Sequence, residues 1–176
     1  MYQIKSNNNF YLNSCYELLN QKNFPISLTS QNSNFGIIFL EFKLNVLTVE
    51  FNNTREKIDL PLNSHIFTKT IFELLQESEI IFDQLTYSPI KETLSNENTS
   101  LKLRNTHNLI IREALMNKGE GINKTDLYKI IWPKDINIQI NKLDTHLTNL
   151  KNLLQEHFDY TIKFKSNQGK IIFLSY

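Results

Sequence analysis

The sequence predicts two consecutive small domains, an α/β domain over residues 1–77 and an α+β domain over residues 80–176. Two patterns lead to this prediction. In the first half, strand-like and helical apolar patterns alternate, whereas in the second half three helical patterns follow one another and two strands close the chain. The polar segment 76–79 separates the halves. With 176 residues, of which 40% are hydrophobic and only four are Gly and four Pro, the chain has enough apolar sequence for two cores and little for linkers.

The first half is expected to form a small sheet with two helices. Strands are predicted at residues 2–5, 26–29, 35–40, 46–51 and 57–60, with a loop at 30–34. The third strand is a short, continuously apolar run, which is typical of a strand covered on both faces. Asn8 or Asn9 is expected to cap the first helix. Asn63 or Ser64 is expected to cap the second helix, over residues 64–76, because short polar side chains precede apolar residues at helical spacing.

The second half begins with short strands and continues with helices. Strands are predicted at residues 80–82, 85–87, 101–103, 160–165 and 170–174, with turns at 88–89, 95–100, 119–121 and 166–169. Asn105 is expected to cap a helix that runs through Met116. The predicted buried residues of this helix are Leu109, Ile110, Ala114 and Leu115. Asn123 is expected to cap the next helix, which Pro133 stops because a proline disfavours helical backbone in the residue before it.

A third helix, predicted over residues 137–156, has a buried stripe and a polar face. Its apolar residues recur every three or four positions, as one face of an amphipathic helix requires. They are Ile140, Leu143, Leu147, Leu150 and Leu154, and the polar residues Lys142, His146, Asn149, Lys151 and Asn152 fall on the rest of the helix. An ordinary solvated surface helix has the same pattern, so the flanking sequence must distinguish the two interpretations.

Several protein classes are disfavoured by composition. The single cysteine, Cys15, excludes an internal disulfide and a cysteine-based metal cluster. The polar N-terminus does not resemble a signal peptide, and no apolar run approaches the roughly 20 residues that span a bilayer. The four histidines show no metal-ligand spacing, and no glycine-rich phosphate loop or catalytic triad is present. We therefore expect a soluble cytoplasmic protein that is not an enzyme and needs no cofactor.

The two halves of the chain differ in charge, although the net charge of the whole is only +1. Residues 1–100 contain 7 basic and 11 acidic residues, a net charge of −4, whereas residues 101–176 contain 12 basic and 7 acidic residues, a net charge of +5. A basic half beside an acidic one is consistent with a polyanion-binding module joined to a regulatory or interaction module.

Strands, three helices and a terminal hairpin form the outline of a winged helix-turn-helix. The sequence over about residues 80–176 resembles the DNA-binding domain of OmpR/PhoB-type response regulators. The matching pieces are Ile-Asn-Lys-Thr-Asp-Leu at 122–127, Ile-Trp-Pro at 131–133 where the family usually has Val-Trp-Gly, Leu-Asp-Thr-His-Leu at 143–147, Leu-Lys at 150–151, and a wing that closes at Gly169. The resemblance implies that helix 137–156 enters the major groove and that the hairpin contacts the DNA backbone or minor groove.

The resemblance also implies roles for individual residues. Lys142 stands where the family has a phosphate-contacting Thr, and His146 matches a family His that either contacts the backbone or is a partly buried structural histidine. Thr148 and Asn149 occupy the base-reading turn, where Arg is usual. Further expected contacts are Lys151, which replaces an Arg, Asn152, and the wing lysines Lys163, Lys165 and Lys170. Because an amide suits N6 and N7 of adenine, Asn149 predicts a preference for AT-rich sites.

The first half resembles a shortened response-regulator receiver domain, with an unrelated small α/β domain as the alternative. A receiver holds Mg²⁺ with acidic residues after its first strand, but Ser6 and Asn7 stand there in this chain. Glu41 occupies the position of the phosphoryl-accepting Asp, and Leu60 that of the Lys before a proline. Since phosphoryl transfer depends on the metal and on charge, the resemblance implies a receiver that cannot be phosphorylated. Glu41 either mimics the phosphorylated state as a fixed negative charge or is simply an exposed charge that ends a buried strand.

Only a hairpin-like strand pair fits between Glu41 and Lys57, since a parallel crossover needs at least about a dozen residues. The resemblance further implies a homodimer through helix 64–76 and its preceding strand.

The sequence therefore predicts a transcriptional regulator that binds double-stranded, AT-rich DNA independently of phosphorylation. The alternative is a winged-helix interaction module that does not bind DNA and contacts RNA polymerase or another regulator. The lysines of the third helix and the wing favour the first function, whereas the lack of arginines in the third helix favours the second.

Overall fold

The computed structural model describes residues 1–29, 35–118, 120–167 and 170–174, with the backbone alone for residues 163, 165–167, 173 and 174. The predicted loop 30–34, Gly119 and the wing residues 168–169 lie outside the described residues. The chain divides into two compact units, Met1–Ser78 and Glu79–Tyr176, called unit 1 and unit 2 below.

Unit 1 contains a five-stranded sheet in the order β2-β1-β3-β4-β5. Its strands are β1 Tyr2–Ser6, β2 Ile26–Ser27, β3 Ile37–Lys43, β4 Val46–Phe51 and β5 Thr54–Asp59. The first three strands run parallel, whereas β3, β4 and β5 form an antiparallel meander. The predicted hairpin-like connection after Glu41 is therefore confirmed. The helices α1 Asn9–Gln21 and α2 Ser64–Leu75 contact each other and pack on the sheet.

Asparagine side chains begin both helices of unit 1. The Asn8 side-chain oxygen accepts hydrogen bonds from the backbone N–H groups of Phe10 and Tyr11, and Asn63 does the same for the first turn of α2. These bonds satisfy N–H groups that have no partner within the helix. Of the predicted capping alternatives, the structure thus selects Asn8 and Asn63.

The end of β1 is tied to β3 by polar side chains. The Asn7 amide nitrogen donates to the Phe42 carbonyl at 3.2 Å, and the Phe42 N–H donates to the Asn7 side-chain oxygen at 2.9 Å. The Ser6 hydroxyl donates to the Leu40 carbonyl at 2.8 Å. Ser6 and Asn7, which the sequence resemblance places where a receiver has metal-binding acidic residues, therefore extend the hydrogen bonding between β1 and β3.

The strand that carries Glu41 lies further along the chain than predicted, at Ile37–Lys43 and not at residues 35–40. The sequence places its end at Leu40, but the ladder with β4 continues to the pair Lys43 and Val46, so Glu41 lies inside the strand and does not end it. The reason is the tight turn after Lys43, which keeps both strands in register. The Glu41 carboxylate lies 2.7 Å from the Lys43 ammonium, so an adjacent cation compensates its charge.

Unit 2 begins with a four-stranded antiparallel sheet in the order β6-β7-β8-β9. Its strands are β6 Ile80–Phe82, β7 Leu85–Ser88, β8 Thr93–Ser95 and β9 Ser100–Lys102. The sequence did not predict β8, because Leu94 is the only apolar residue in it. The remaining elements are α3 Asn105–Met116, β10 Ile122–Asn123, α4 Lys124–Ile131, α5 Ile140–Phe158, β11 Lys163–Asn167 and β12 Lys170–Leu174. A second sheet in the order β10-β12-β11 completes a winged helix-turn-helix arrangement.

Two details of α3 differ from the prediction. Arg104, not Asn105, occupies the capping position, without a side-chain cap bond. Leu109 and Leu115 are only half-buried, whereas His107 and Ile111 are buried with Ile110 and Ala114. The physical reason is that α3 contacts α4, α5 and β12, so more than one of its faces is covered.

The third predicted helix is shifted by about one turn. It begins at Ile140 and not at residue 137, and it continues to Phe158, beyond the predicted end at residue 156. Residues 137–139 are not helical, and the N–H groups of Lys142 and Leu143 bond to the Gln139 carbonyl. At the other end, Phe158 is buried four residues after Leu154 and extends the apolar stripe.

Candidate nucleic-acid interface

The candidate interface lies on α5, and the buried stripe of this helix fixes which residues face solvent. Leu143, Leu147, Leu150, Leu154 and Phe158 are buried, and α5 contacts both α3 and α4. Because these residues occupy one side of the helix, the opposite side faces solvent. Thr148, Asn149 and Asn152 lie there and are exposed, as are Asn141 and Thr145. The structure thus brings three of the predicted site residues onto one accessible surface.

These five exposed residues of α5 have polar, uncharged side chains. The Thr148 hydroxyl donates to the Asp144 carbonyl at 2.9 Å, and the Thr145 hydroxyl donates to the Asn141 carbonyl at 2.9 Å. Each hydroxyl oxygen keeps acceptor capacity, and the exposed amides of Asn149 and Asn152 offer both donors and acceptors. The surface is suited to hydrogen bonding with another polar surface.

A cleft lies between α4, α5 and the terminal sheet. It has a volume of about 270 Å³, with Leu147, Phe164 and Ile171 among its lining residues. Its polar residues are Lys124, Asp144, Thr148 and Lys151. The Lys124 ammonium lies 2.6 Å from the Asp144 carboxylate, whereas Lys151 is exposed. Lys124 was not among the predicted site residues. Its position at the start of the predicted helix before α5 could have indicated that it lies near the site.

Lys142 is held in a cluster of side chains. Its ammonium lies 3.0 Å from the Asp135 carboxylate and 4.1 Å from the centroid of the Trp132 ring. The hydroxyl of Tyr128, which is fully buried, donates to the same carboxylate at 2.7 Å. The Tyr128 hydrogen bond and then Lys142 lower the pKa of Asp135 below its ordinary value. Lys142 therefore has an internal partner of opposite charge.

His146 is half-buried between two other rings. Its ring centroid lies 5.3 Å from that of Trp132 and 6.2 Å from that of His107. His107 is only 8% exposed, and its Nδ1 has no hydrogen-bond partner among the described residues. Burial first, and then the charges of His146 and Arg104, lower the pKa of His107 below 6.5. This placement favours the structural interpretation of His146.

The wing consists of β11 and β12, which pair antiparallel from Lys163 opposite Leu174 to Asn167 opposite Lys170. Lys170 is exposed, whereas the side chains of Lys163 and Lys165 lie outside what the structure describes. The strand β10 pairs with β12 and connects the wing to the start of α4. Gly121 precedes β10 with φ +73°, and a Cβ there would lie 2.8 Å from the Ile171 carbonyl oxygen. The close approach of this segment to β12, together with the positive φ, therefore requires a glycine at this position.

In the part of the chain that the structure describes, no group of three or more His, Cys, Asp or Glu residues is arranged to hold a metal ion. Among the described helices, none is long and apolar enough to cross a membrane.

The comparisons with known proteins concern the C-terminal part of the chain. No protein-family model matches the sequence, and no curated protein does. The DNA-binding domain of CadC from E. coli matches at 13% identity and TM-score 0.49, covering 57% of this chain and 94% of that one. The DNA-binding domain of CpxR from E. coli matches at 20% identity and TM-score 0.48, covering 56% and 98%. The C-terminal domain of the nisin resistance regulator NsrR, a lantibiotic response regulator, matches at 25% identity and TM-score 0.42, covering 56% and 96%.

Acid is expected to destabilise unit 2 through His107. Because folding lowers the pKa of His107, the unfolded chain binds a proton that the folded chain disfavours, and the free energy of unfolding falls as the pH drops below about 6.5. The variant His107→Gln should weaken this pH dependence. The free energy of unfolding is measured by urea titration at about pH 5 and pH 7.5, with the fluorescence of Trp132, the only tryptophan, as the readout. His65→Gln, at an exposed histidine of unit 1, is the control, and equal pH dependence in both variants would contradict the prediction.

Proposed function

We propose that the protein is a transcriptional regulator that binds double-stranded DNA with α5 in the major groove and the wing beside it. The observation that carries this proposal is the exposed polar side of α5, which is supported from behind by a buried stripe and flanked by a lysine-bearing hairpin. A helix with its side chains is about 10–12 Å across, close to the width of the major groove of about 12 Å. The position of the wing suits contacts with the adjacent backbone.

Base reading is assigned to Thr148, Asn149 and Asn152. These side chains are exposed, uncharged and able to donate or accept hydrogen bonds. An Asn amide forms two hydrogen bonds with adenine through N6 and N7, whereas guanine is usually read by Arg or Lys. We therefore infer a preference for AT-rich sites.

Phosphate contacts are assigned to Lys151 and to the wing lysines Lys163, Lys165 and Lys170. Lys151 and Lys170 are exposed, and Lys151 lines the cleft between α5 and the wing. Phosphate contacts position a protein on DNA without reading its sequence. The affinity for DNA is expected to depend strongly on salt concentration, because each neutralised phosphate releases counterions.

We further propose that unit 1 acts without phosphorylation and pairs two copies of the chain. Asn7 and Ser6 are engaged in hydrogen bonds with β3, and Glu41 is paired with Lys43. On α2, Ile66 is 49% exposed and Phe72 is 45% exposed. The ion pair of Lys69 and Glu73 lies on the same helix, so a second copy related by a two-fold axis would meet both signs of charge.

A second candidate is the interaction module that binds a protein such as RNA polymerase. It is favoured by the loop between α4 and α5, where Ile136 is 96% exposed and Ile138 is 41% exposed. Exposed apolar residues in a loop are suited to protein contacts. Salt dependence of duplex binding separates the two candidates, since a module that does not bind DNA has no counterions to release.

Duplex affinity is expected to fall steeply with salt and to depend on Lys151. A plot of log affinity against log salt concentration should have a slope of about −0.9 for each phosphate contacted, and Lys151→Ala should make it less steep by about 0.9. Fluorescence anisotropy with random duplexes at several salt concentrations measures this. Lys22→Ala, at an exposed lysine of unit 1, is the control and should keep the wild-type slope. Failure of the wild-type protein to bind duplexes would favour the interaction module.

Binding-site selection from random duplexes is expected to return AT-rich motifs. Asn149→Ala should weaken binding to the selected site by about 1–3 kcal/mol, the usual contribution of a bidentate base contact, and should relax the preference at one position. Asn20→Ala, at an exposed asparagine of α1, serves as the control. Selection of GC-rich motifs that Asn149→Ala leaves unchanged would refute this assignment.

Sedimentation at tens of micromolar is expected to show a dimer, because burial of Ile66 and Phe72 removes apolar area from water. Phe72→Glu should produce monomers, whereas Phe10→Glu, at an aromatic residue of α1 that is 79% exposed, should not. The dimer fraction should be the same with and without acetyl phosphate as a phosphoryl donor. A wild-type monomer would disprove the dimer, and a mass increase of one phosphoryl group on unit 1 would disprove its independence of phosphorylation.

A further inference from the structure

We propose that Lys142 is a positioning residue that holds the start of α5 against the α4–α5 loop, residues 132–139. It does not contact DNA phosphate. The inference rests on the proposed function, because it concerns how the polar side of α5 is presented to DNA. It replaces the role that sequence resemblance implies for this lysine.

The charge of Lys142 is compensated within the protein. The Lys142 ammonium lies 3.0 Å from the Asp135 carboxylate, and both side chains are 36% exposed. A phosphate that approached this lysine would also approach the carboxylate, which repels it. Because Asp135 already compensates the lysine charge, the pair offers little net attraction to a polyanion. Lys151, which is exposed, has no such carboxylate partner among the described residues.

The α4–α5 loop is fixed through the Asp135 carboxylate. Asp135 is fixed from three sides: the Tyr128 hydroxyl donates to its carboxylate at 2.7 Å, Lys142 donates to the same oxygen at 3.0 Å, and its own N–H donates to the Trp132 carbonyl at 3.1 Å. Tyr128 belongs to α4, and Lys142 lies in the first turn of α5. The carboxylate thus connects the end of one helix with the beginning of the next.

Contacts with Trp132 support the first turns of α5. Gln139 occupies the capping position, but its side chain makes no cap hydrogen bond. The first turn instead has Lys142, whose ammonium lies 4.1 Å from the Trp132 ring centroid, a favourable cation–π distance. One turn later, His146 contacts the same indole at 5.3 Å between centroids. Two successive turns of α5 therefore contact Trp132, and these contacts determine which residues of the helix face solvent.

Fluorescence of Trp132, the only tryptophan, tests this role directly. Lys142→Met removes the charge with little change in length, and Lys142→Arg keeps the cation above the ring. We expect Lys142→Met to shift the Trp132 emission and increase its quenching by acrylamide, and Lys142→Arg to restore wild-type values. In duplex titrations, Lys142→Met should lower affinity by the same factor at every salt concentration, so that the slope is unchanged. Lys151→Met is the matched control, with unchanged Trp132 emission and a slope less steep by about 0.9.

Asp135→Asn provides a second, independent test. If Lys142 positions the loop, this variant should change Trp132 emission and weaken duplex binding as Lys142→Met does. If Lys142 contacts phosphate, loss of the carboxylate should strengthen binding. Asp126→Asn, in the first turn of α4, removes the same charge outside the cluster and is the control.

The inference is overturned if Lys142→Met leaves Trp132 emission unchanged or makes the salt slope less steep by about 0.9. Tighter binding by Asp135→Asn would overturn it as well. If the wild-type protein binds no duplex, the proposed function fails, but the emission of Lys142→Met and Lys142→Arg still decides whether Lys142 positions the loop.

Discussion

The burial of one side of α5 is the constraint on which the rest of unit 2 depends. Leu143, Leu147, Leu150, Leu154 and Phe158 remove a continuous apolar stripe from water, and full burial of each such side chain contributes about 1.5–3 kcal/mol. A helix anchored in this way presents its opposite side as a rigid surface. The polar residues on that side therefore have defined directions, which a surface that reads hydrogen-bonding patterns requires.

Charge pairing then limits which cations around α5 are available to a polyanion. Lys124 is paired with Asp144, and Lys142 with Asp135, whereas Lys151 and Lys170 are exposed at the cleft and on the wing. Thr148, Asn149 and Asn152 therefore present amides and a hydroxyl, and the attraction for phosphate that we propose comes from Lys151 on the same helix and from the wing. This division of roles makes the lack of arginine in α5 compatible with the DNA binding that we propose.

Unit 1 uses residues at the end of β1 for structure. At the place where the receiver interpretation would put metal-binding carboxylates, Asn7 and Ser6 form hydrogen bonds with β3. Asn7 donates to and accepts from the backbone of Phe42, so that it extends the strand pairing as a backbone amide would. Neutral amides and hydroxyls fit this role, whereas a cluster of carboxylates would repel one another without a metal ion.

The sequence by itself determined the order of most elements, the approximate starts of the two helices of unit 1 and the buried stripe of the third helix, because these follow from apolar spacing and from short polar side chains beside it. It missed the strand β8 and the several covered faces of α3, and it placed the start of α5 one turn too early, because packing between distant segments decides these features. Only the tertiary structure decided that Lys142 is held by Asp135 and Trp132, and that Tyr128 in turn holds Asp135. Sequence spacing places a lysine on a helix, but only the folded chain shows which carboxylate and which ring lie beside its ammonium group.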